Sequence, residues 1–328
     1  MAFGCRMHRR SLLLAALPAL LPAAAQAAPK RLVVLAAGSP DQSFSRETLA
    51  LMRQGLASQG LHEGTDLALE MRWAAGDYGS FASAAREMAR SRPDVVVVQT
   101  ITAAAAMRDL APAVPTVMLH INDPVAVGLV PSLARPGGNL TGTATHTADI
   151  LDKTLDLLAR LRPGLAEVAV VFNPDNPSNQ RMVAQAEAPL RALGIGLRPW
   201  PWQAGGVAAL HAALRATPPG ALLVIPDAAL LDHAPALAAL GPELGLPVAS
   251  MIRVFPENGA LFSYGFPRAP MVLRTMYFVR RVLEGARPAD LPIEQPTGYE
   301  LVLNARVARQ LGITLPLDLL AQAEAVIE

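Results

Sequence analysis

Cysteine is almost missing from this chain of 328 residues: there is one, Cys5. Aromatic residues make up only 5% and charged residues only 17%. Cys5 precedes an apolar run inside a segment that reads as a removable leader, so it is not a lipid-attachment cysteine. Without it the rest of the chain has neither a disulfide framework nor a thiol nucleophile, and a buried core must supply its stability. There is no Gly-x-Ser-x-Gly elbow, no P-loop and no Gly-x-Gly-x-x-Gly after a strand-like run. No His-x-x-x-His or Cys-x-x-Cys spacing suggests a metal, and the isolated His120 and His146 read as structural. The sequence therefore points away from an enzyme and implies no catalytic residue, metal or cofactor.

What is present begins with an address. Arg6, Arg9 and Arg10 form a basic start, residues 12–21 are apolar, and Ala25-Gln26-Ala27 is a small-x-small cleavage site. Cleavage after Ala27 and a periplasmic destination are expected. The apolar run is short and broken by Pro18 and Pro22, which disfavours a membrane span. Arg9-Arg10 leaves both the general secretory and the twin-arginine routes open. Without the three leader arginines, 25 basic residues face 27 acidic ones, a formal net of −2. Such a balance gives no electrostatic reason to expect nucleic acid as a partner.

The remaining chain alternates short apolar runs with helical patterns. Strands are expected at 31–38, 67–73, 94–99 and 116–119, with helices at 45–59, 81–91 and 102–110 between them. Runs without polar alternation, such as Val95-Val96-Val97-Val98, suit strands covered on both faces of a parallel sheet. The pattern restarts with a helix at 149–161 and strands at 167–172, 196–200, 221–225 and 247–250. Ser39-Pro40-Asp41 and Asn173-Pro174-Asp175, Pro93 and Pro219, and Val114-Pro115 and Leu246-Pro247 correspond at offsets of 134, 126 and 132 residues, as in a duplicated β-α unit. The expected fold class is α/β, with two similar doubly wound parallel-sheet lobes.

Residues 119–142 are broken by Asp123-Pro124, Pro131, Pro136 and Gly137-Gly138, yet carry Val125, Val127, Leu129, Val130 and Leu133. A flexible linker would be polar, so this stretch reads as an ordered crossover between lobes, with Asp123 and Pro124 at the hinge. The expected division is a first lobe of 28–121 plus about 266–286, and a second of 122–265 plus about 287–328. Tail pieces at 260–264, 267–283 and 300–311 complete the two lobes, so the chain crosses the hinge more than once.

In open α/β sheets, ligands bind beyond the carboxyl ends of the strands. That rule selects loops holding Ser39, Ser43, Phe44, Thr100, Thr102, Asn173, Asn176 and Asp227, with Tyr264 nearby. Free backbone N–H groups and two hydroxyls at Thr100 and Thr102 suit a carboxylate, or Thr102 is a helix cap. Asp227 suits a ligand ammonium, or caps the helix after it. Phe44 and Tyr264 are candidates for stacking on a ring, with Trp200 and Trp202 behind them.

The order Arg72-Trp73-Ala74, Asn122-Asp123-Pro124-Val125, Gly128-Leu129-Val130, Arg135-Pro136-Gly137-Gly138-Asn139-Leu140-Thr141-Gly142, Asn173-Pro174 and Glu300-Leu301-Val302-Leu303-Asn304 resembles the ABC-transporter substrate-binding proteins of the tryptophan/tyrosine type. The resemblance runs over essentially all of the chain after the leader. It implies a type I periplasmic binding fold with a three-crossover hinge, and capture of a small amino-acid-like or aromatic carboxylate by hinge closure. It also implies delivery of the ligand to an ABC permease and ATPase, and the chain is expected to be a monomer. His120-Ile121-Asn122 stands before Asp123-Pro124 where many relatives have a glycine, a difference at the hinge or cleft wall. A ligand-sensing module for a chemoreceptor or two-component kinase, or an exported α/β enzyme, are the alternatives.

Overall fold

The computed structural model describes Met1, residues 28–202 and residues 205–328. The leader, its cleavage site and Cys5 lie outside the described residues. The first sheet receives β1 (Lys30–Ala36), β2 (Leu67–Trp73), β3 (Val95–Val98), β4 (Thr116–Asn122) and β5 (Leu140–Thr145). Helices α1 (Ser43–Ser58), α2 (Ser80–Ser91) and α3 (Ile101–Leu110) connect the first four of these. From α4 (Thr147–Leu161) the chain enters the second sheet, through β6 (Glu167–Phe172), β7 (Gly196–Pro201), β8 (Ala221–Val224), β9 (Val248–Ser250) and β10 (Phe262–Gly265). Its helices are α5 (Pro177–Ala192), α6 (Gly206–Ala216), α7 (Ala228–Leu231), α8 (Ala234–Leu244) and α9 (Val254–Glu257). Then α10 (Arg268–Leu283) and β11 (Ile293–Glu294) return to the first sheet. The strand β12 (Glu300–Asn304), α11 (Ala305–Gln310), α12 (Leu317–Gln322) and β13 (Ala325–Ile327) finish the second.

The strand orders are β11-β5-β4-β3-β1-β2 and β13-β12-β10-β9-β8-β6-β7. Every pairing in the first sheet is parallel. In the second only β10 with β12 is antiparallel. Both faces of each sheet are covered, which is why the strands show no polar alternation. In β3, Val96 and Val98 join one core while Val95 and Val97 join the core on the opposite face. In β8, Ala221 and Leu223 divide from Leu222 and Val224 in the same way. This is the two-lobed architecture of the type I periplasmic binding fold, and the chain passes between lobes three times, at 146, at 266–267 and at 295–299.

Two expectations need correction. Residues 119–142 are not the crossover. Their ends belong to β4 and β5, which pair in parallel with Thr116 opposite Leu140 and Ile121 opposite Ala144. Between them, Leu129 and Val130 pack into the first-sheet core with Val96, Val98 and Leu140. Of the apolar residues that argued against a linker, Leu129 and Val130 are buried and Val127 and Leu133 half-buried against their own lobe, while Val125 is exposed. The expected boundary near 121 is displaced for the same reason, because 122–145 and the two-residue β11 belong with the first sheet. A two-residue strand is too short to carry a periodic signal.

A register shift interrupts the β4–β5 ladder between Met118 and Ile121, where His120 sits at φ 57°. Opposite it, Gly142 has φ +120°, and an added Cβ would stand 2.4 Å from the Met118 carbonyl oxygen and 2.6 Å from its nitrogen. Only glycine suits both the dihedral and the approach. Gly142→Ala is expected to lower stability by about 2 kcal/mol or more, as a fall in the denaturant midpoint at unchanged slope. A midpoint equal to the parent's would contradict this reading of the bulge. Among the described residues, no helix is long and apolar enough to cross a membrane.

Candidate functional site

The carboxyl ends of the strands in both sheets face a shared cleft, as the strand-end rule requires. It holds two neighbouring compartments of about 190 and 230 Å³, together at the small end of ligand sites. Phe44, Gln99, Thr100 and His120 from the first lobe and Asn176, Pro226, Asp227 and Leu231 from the second line both.

Asp227 is the most elaborately held group in the cleft, at 5% exposure. Its Oδ1 accepts from Asn173 Nδ2 at 2.8 Å and from the Ala229 backbone N–H at 2.9 Å. Its Oδ2 accepts from Asn176 Nδ2 at 2.7 Å and from the Tyr78 hydroxyl at 2.9 Å. Local chemistry explains the assembly. Asp227 is the N-cap of α7, and Asn176 caps α5 through its Oδ1 to Ser178 N–H at 2.9 Å, leaving its amide N–H₂ for Asp227. Asn173 ends β6 in an Asx turn, its Oδ1 accepting from Asp175 N–H at 3.0 Å. Tyr78 comes from the other lobe. Three further bonds cross between lobes, Gln42 Nε2 to the Ala228 carbonyl at 3.1 Å, Asn122 Nδ2 to Ser178 Oγ at 3.1 Å and the Thr147 N–H to Asn122 Oδ1 at 3.2 Å.

Each carboxylate oxygen of Asp227 thus carries two donors, the number its lone pairs accommodate. Of the two expected roles of Asp227 the structure shows the cap, and its four lone-pair positions are already engaged. Thr100 is likewise an N-cap, its Oγ1 accepting from Ala103 N–H at 3.0 Å, while facing both compartments. Thr102, one residue inside α3, is not on the cleft wall, and neither are Ser39 and the exposed Ser43. Ser45 and Thr48, further along α1, are the hydroxyls that reach the cleft. Asn173 stands behind the wall and acts through Asp227. Tyr264 lies outside both compartments, its ring 5.7 Å from that of Tyr299. Trp200 and Trp202 also lie outside, packed on the second lobe's core. Asp123 meets the first crossover, with Oδ1 2.5 Å from His146 Nδ1 and its N–H donating to the Thr145 carbonyl at 2.9 Å.

Sequence reasoning missed three cleft residues. Tyr78 sits in an irregular stretch between β2 and α2 with no signal to mark it. Arg268 opens α10, four residues beyond the noted Tyr264, and the strand-end rule extended to Phe266-Pro267-Arg268 finds it. Its guanidinium lies 4.1 Å from the centre of the Phe44 ring. It donates to Glu47 Oε2 at 2.7 Å and to Thr48 Oγ1 at 3.1 Å. His120, read as structural, lines the cleft beside the Phe266 ring, centroids 5.1 Å apart. Its Nε2 is buried with no hydrogen-bond partner. Burial and the nearby Arg268 charge push its pKa down to about 3, so the ring is neutral at physiological pH. Among the described residues, no group of three or more His, Cys, Asp or Glu could hold a metal.

Burial, and then the neighbouring Asp227 charge, push the Tyr78 hydroxyl far above its ordinary value. The folded form therefore keeps this proton after the unfolded chain has lost it, so its contribution is present below about pH 10 and is lost as pH rises further. Tyr78→Phe is expected to cost about 1 kcal/mol at neutral pH and to flatten the alkaline fall in stability. Identical alkaline limbs in denaturation series of both proteins would contradict the contact.

A family model described as "ABC transporter substrate binding protein" matches residues 45–327. A curated tyrosine-binding protein of Clostridioides difficile is 23% identical over 267 residues, 79% of this chain and 75% of that protein. A solved structure of a conserved domain protein from Vibrio cholerae is 25% identical with a TM-score of 0.80, covering 90% of this chain and 99% of that one. The structure of an ABC domain in complex with L-Trp from Streptococcus pneumonia has a TM-score of 0.79 at 22% identity, covering 91% of this chain and all of that one.

Proposed function

The chain belongs to the ABC transporter substrate-binding protein family, and from that premise we propose that it is the exported solute-binding protein of an importer. It captures a small ligand between its lobes and delivers it to a membrane permease powered by a separate ATPase. The observation that carries this reading is the cleft itself. Its walls come from both lobes, which are joined by three narrow crossovers and touch through a few hydrogen bonds and through Phe44 and Ala228, each packed on the other lobe's core. Such a joint opens without disturbing either sheet.

In this reading the lobes are 28–145 with 268–294 and 147–265 with 300–328. Asp123 and Pro124 brace the first crossover rather than form it. Phe44, Thr100, Asn176 and Asp227 face or shape the site, joined by His120, Tyr78 and Arg268. The chain works as a monomer in the periplasm after cleavage at Ala27. The tyrosine-binding relative and the L-Trp complex support a ligand of small amino-acid-like or aromatic carboxylate size. Ligand contacts made to both lobes favour the closed form, since only contacts that differ between states shift their balance.

The test is calorimetry of residues 28–328 against amino acids, aromatic and aliphatic acids and sugars, with small-angle scattering on whatever binds. Micromolar or tighter binding of one solute class with a fall in the radius of gyration is expected. Absence of binding by every class, or tight binding with an unchanged scattering curve, would overturn capture by closure.

A further inference from the structure

An amino acid needs a site of two poles, and the inner cleft offers one. Two ionic side chains line its compartments, Asp227 and Arg268. All four acceptor positions of Asp227 are filled by Asn173, Asn176, Tyr78 and the Ala229 N–H. An ammonium could reach this carboxylate only by displacing one of these donors. The other acids nearby, Glu47, Glu257 and Glu300, lie in an outer pocket at the cleft mouth, and each already meets an arginine. The positive pole is different. A guanidinium has five N–H donors, and Arg268 directs one each to Glu47 and Thr48. Glu47 is itself 62% exposed, and an ion pair of that kind is weak and easily exchanged.

His120 supplies a second, independent observation. Its Nε2 is buried without a partner on the same wall. A buried polar atom left unpaired is costly, and a ligand oxygen placed between it and Arg268 would satisfy it. Beyond this pole the larger compartment has an apolar wall of Ile150, Met182, Leu231, Met251 and Phe266, with Gln99, Asn122, Thr145 and Asn179 among its polar lining.

Resting on the solute-binding reading above, we propose that the ligand is an organic anion without an amine, a small carboxylic acid with an apolar or aromatic body. Arg268 binds the carboxylate with charge, His120 adds a neutral N–H donor from Nε2, and the body fills the apolar compartment. An amino acid of the same shape brings an ammonium that must be desolvated with no free carboxylate to receive it. Because the ring of His120 is already neutral, affinity for the acid stays level between pH 6 and pH 8.

The test compares matched pairs on residues 28–328 by calorimetry: 3-phenylpropanoate with phenylalanine, and 4-methylpentanoate with leucine. The acid is expected to bind at least about tenfold more tightly than its amino acid, a difference of about 1.4 kcal/mol. Arg268→Gln is expected to weaken the acid at least tenfold, and Arg268→Lys to restore part of the loss, with melting temperatures near the parent's. Tighter binding of the amino acids, or acid binding that Arg268→Gln leaves unchanged, overturns the proposal. If that variant does not fold, the matched pairs on the unaltered protein decide. A sugar that binds tightly where all four probes fail refutes the anion and leaves solute capture standing. Failure of every solute class refutes both.

Discussion

The Asp227 carboxylate is the group on which the cleft is built. Burying a lone carboxylate costs several kcal/mol, and here that cost is offset by four donors. Three of them lie in the second lobe, in the segments that follow β6 and β8, so satisfying one charge also fixes the starts of α5 and α7. The fourth, the Tyr78 hydroxyl, comes from the first lobe. Opening the cleft breaks that bond alone among the four and lets water take its place. A net hydrogen bond contributes about 1 kcal/mol, somewhat more to a charged group. The bonds of Gln42 to Ala228 and of Asn122 to Ser178, with the packing of Phe44 on the second lobe, add to this one, so several weak contacts together hold the shut form.

The same saturation separates holding the lobes from holding the ligand. Asp227 shapes the wall but has nothing left for a solute. The ionic contact with ligand falls to Arg268, stacked on Phe44 at the start of α10. Arg268 lies just past the second crossover, so a contact made there is felt where the lobes are joined. His120 owes its place to the bulge in β4, which interrupts the ladder with β5. The bulge turns the His120 ring onto the cleft wall, and its unpartnered Nε2 is what a bound oxygen would complete.

Much of the fold was legible because its signals are local or periodic. A run such as Val95 to Val98 has one physical use, a strand covered on both faces, and the proline-marked offsets exposed the duplication. The strand-end rule likewise selects Phe44, Thr100, Asn176 and Asp227, all of which line both compartments. What stayed hidden depends on contacts distant in sequence. The apolar residues of 119–142 correctly excluded a floppy linker, but composition alone does not say which sheet buries them. Asp227 was read as either cap or ligand group, and only its partner 149 residues away, Tyr78, shows that its capacity is spent. Tyr264 obeyed the strand-end rule and still turned toward Tyr299, because two residues more are needed before the chain reaches the cleft.

The joint lies at the three crossovers, and its opening breaks the Tyr78–Asp227 contact. It is tested most directly by the distance across the cleft mouth, with spin labels on Asp41→Cys in the first lobe and Asp232→Cys in the second, both exposed positions. The chain after the leader has no native cysteine to interfere. Two distance populations are expected, with bound solute collapsing them onto the shorter and Tyr78→Phe raising the share of the longer. A single distribution, the same with solute, without it and in the variant, would contradict the account.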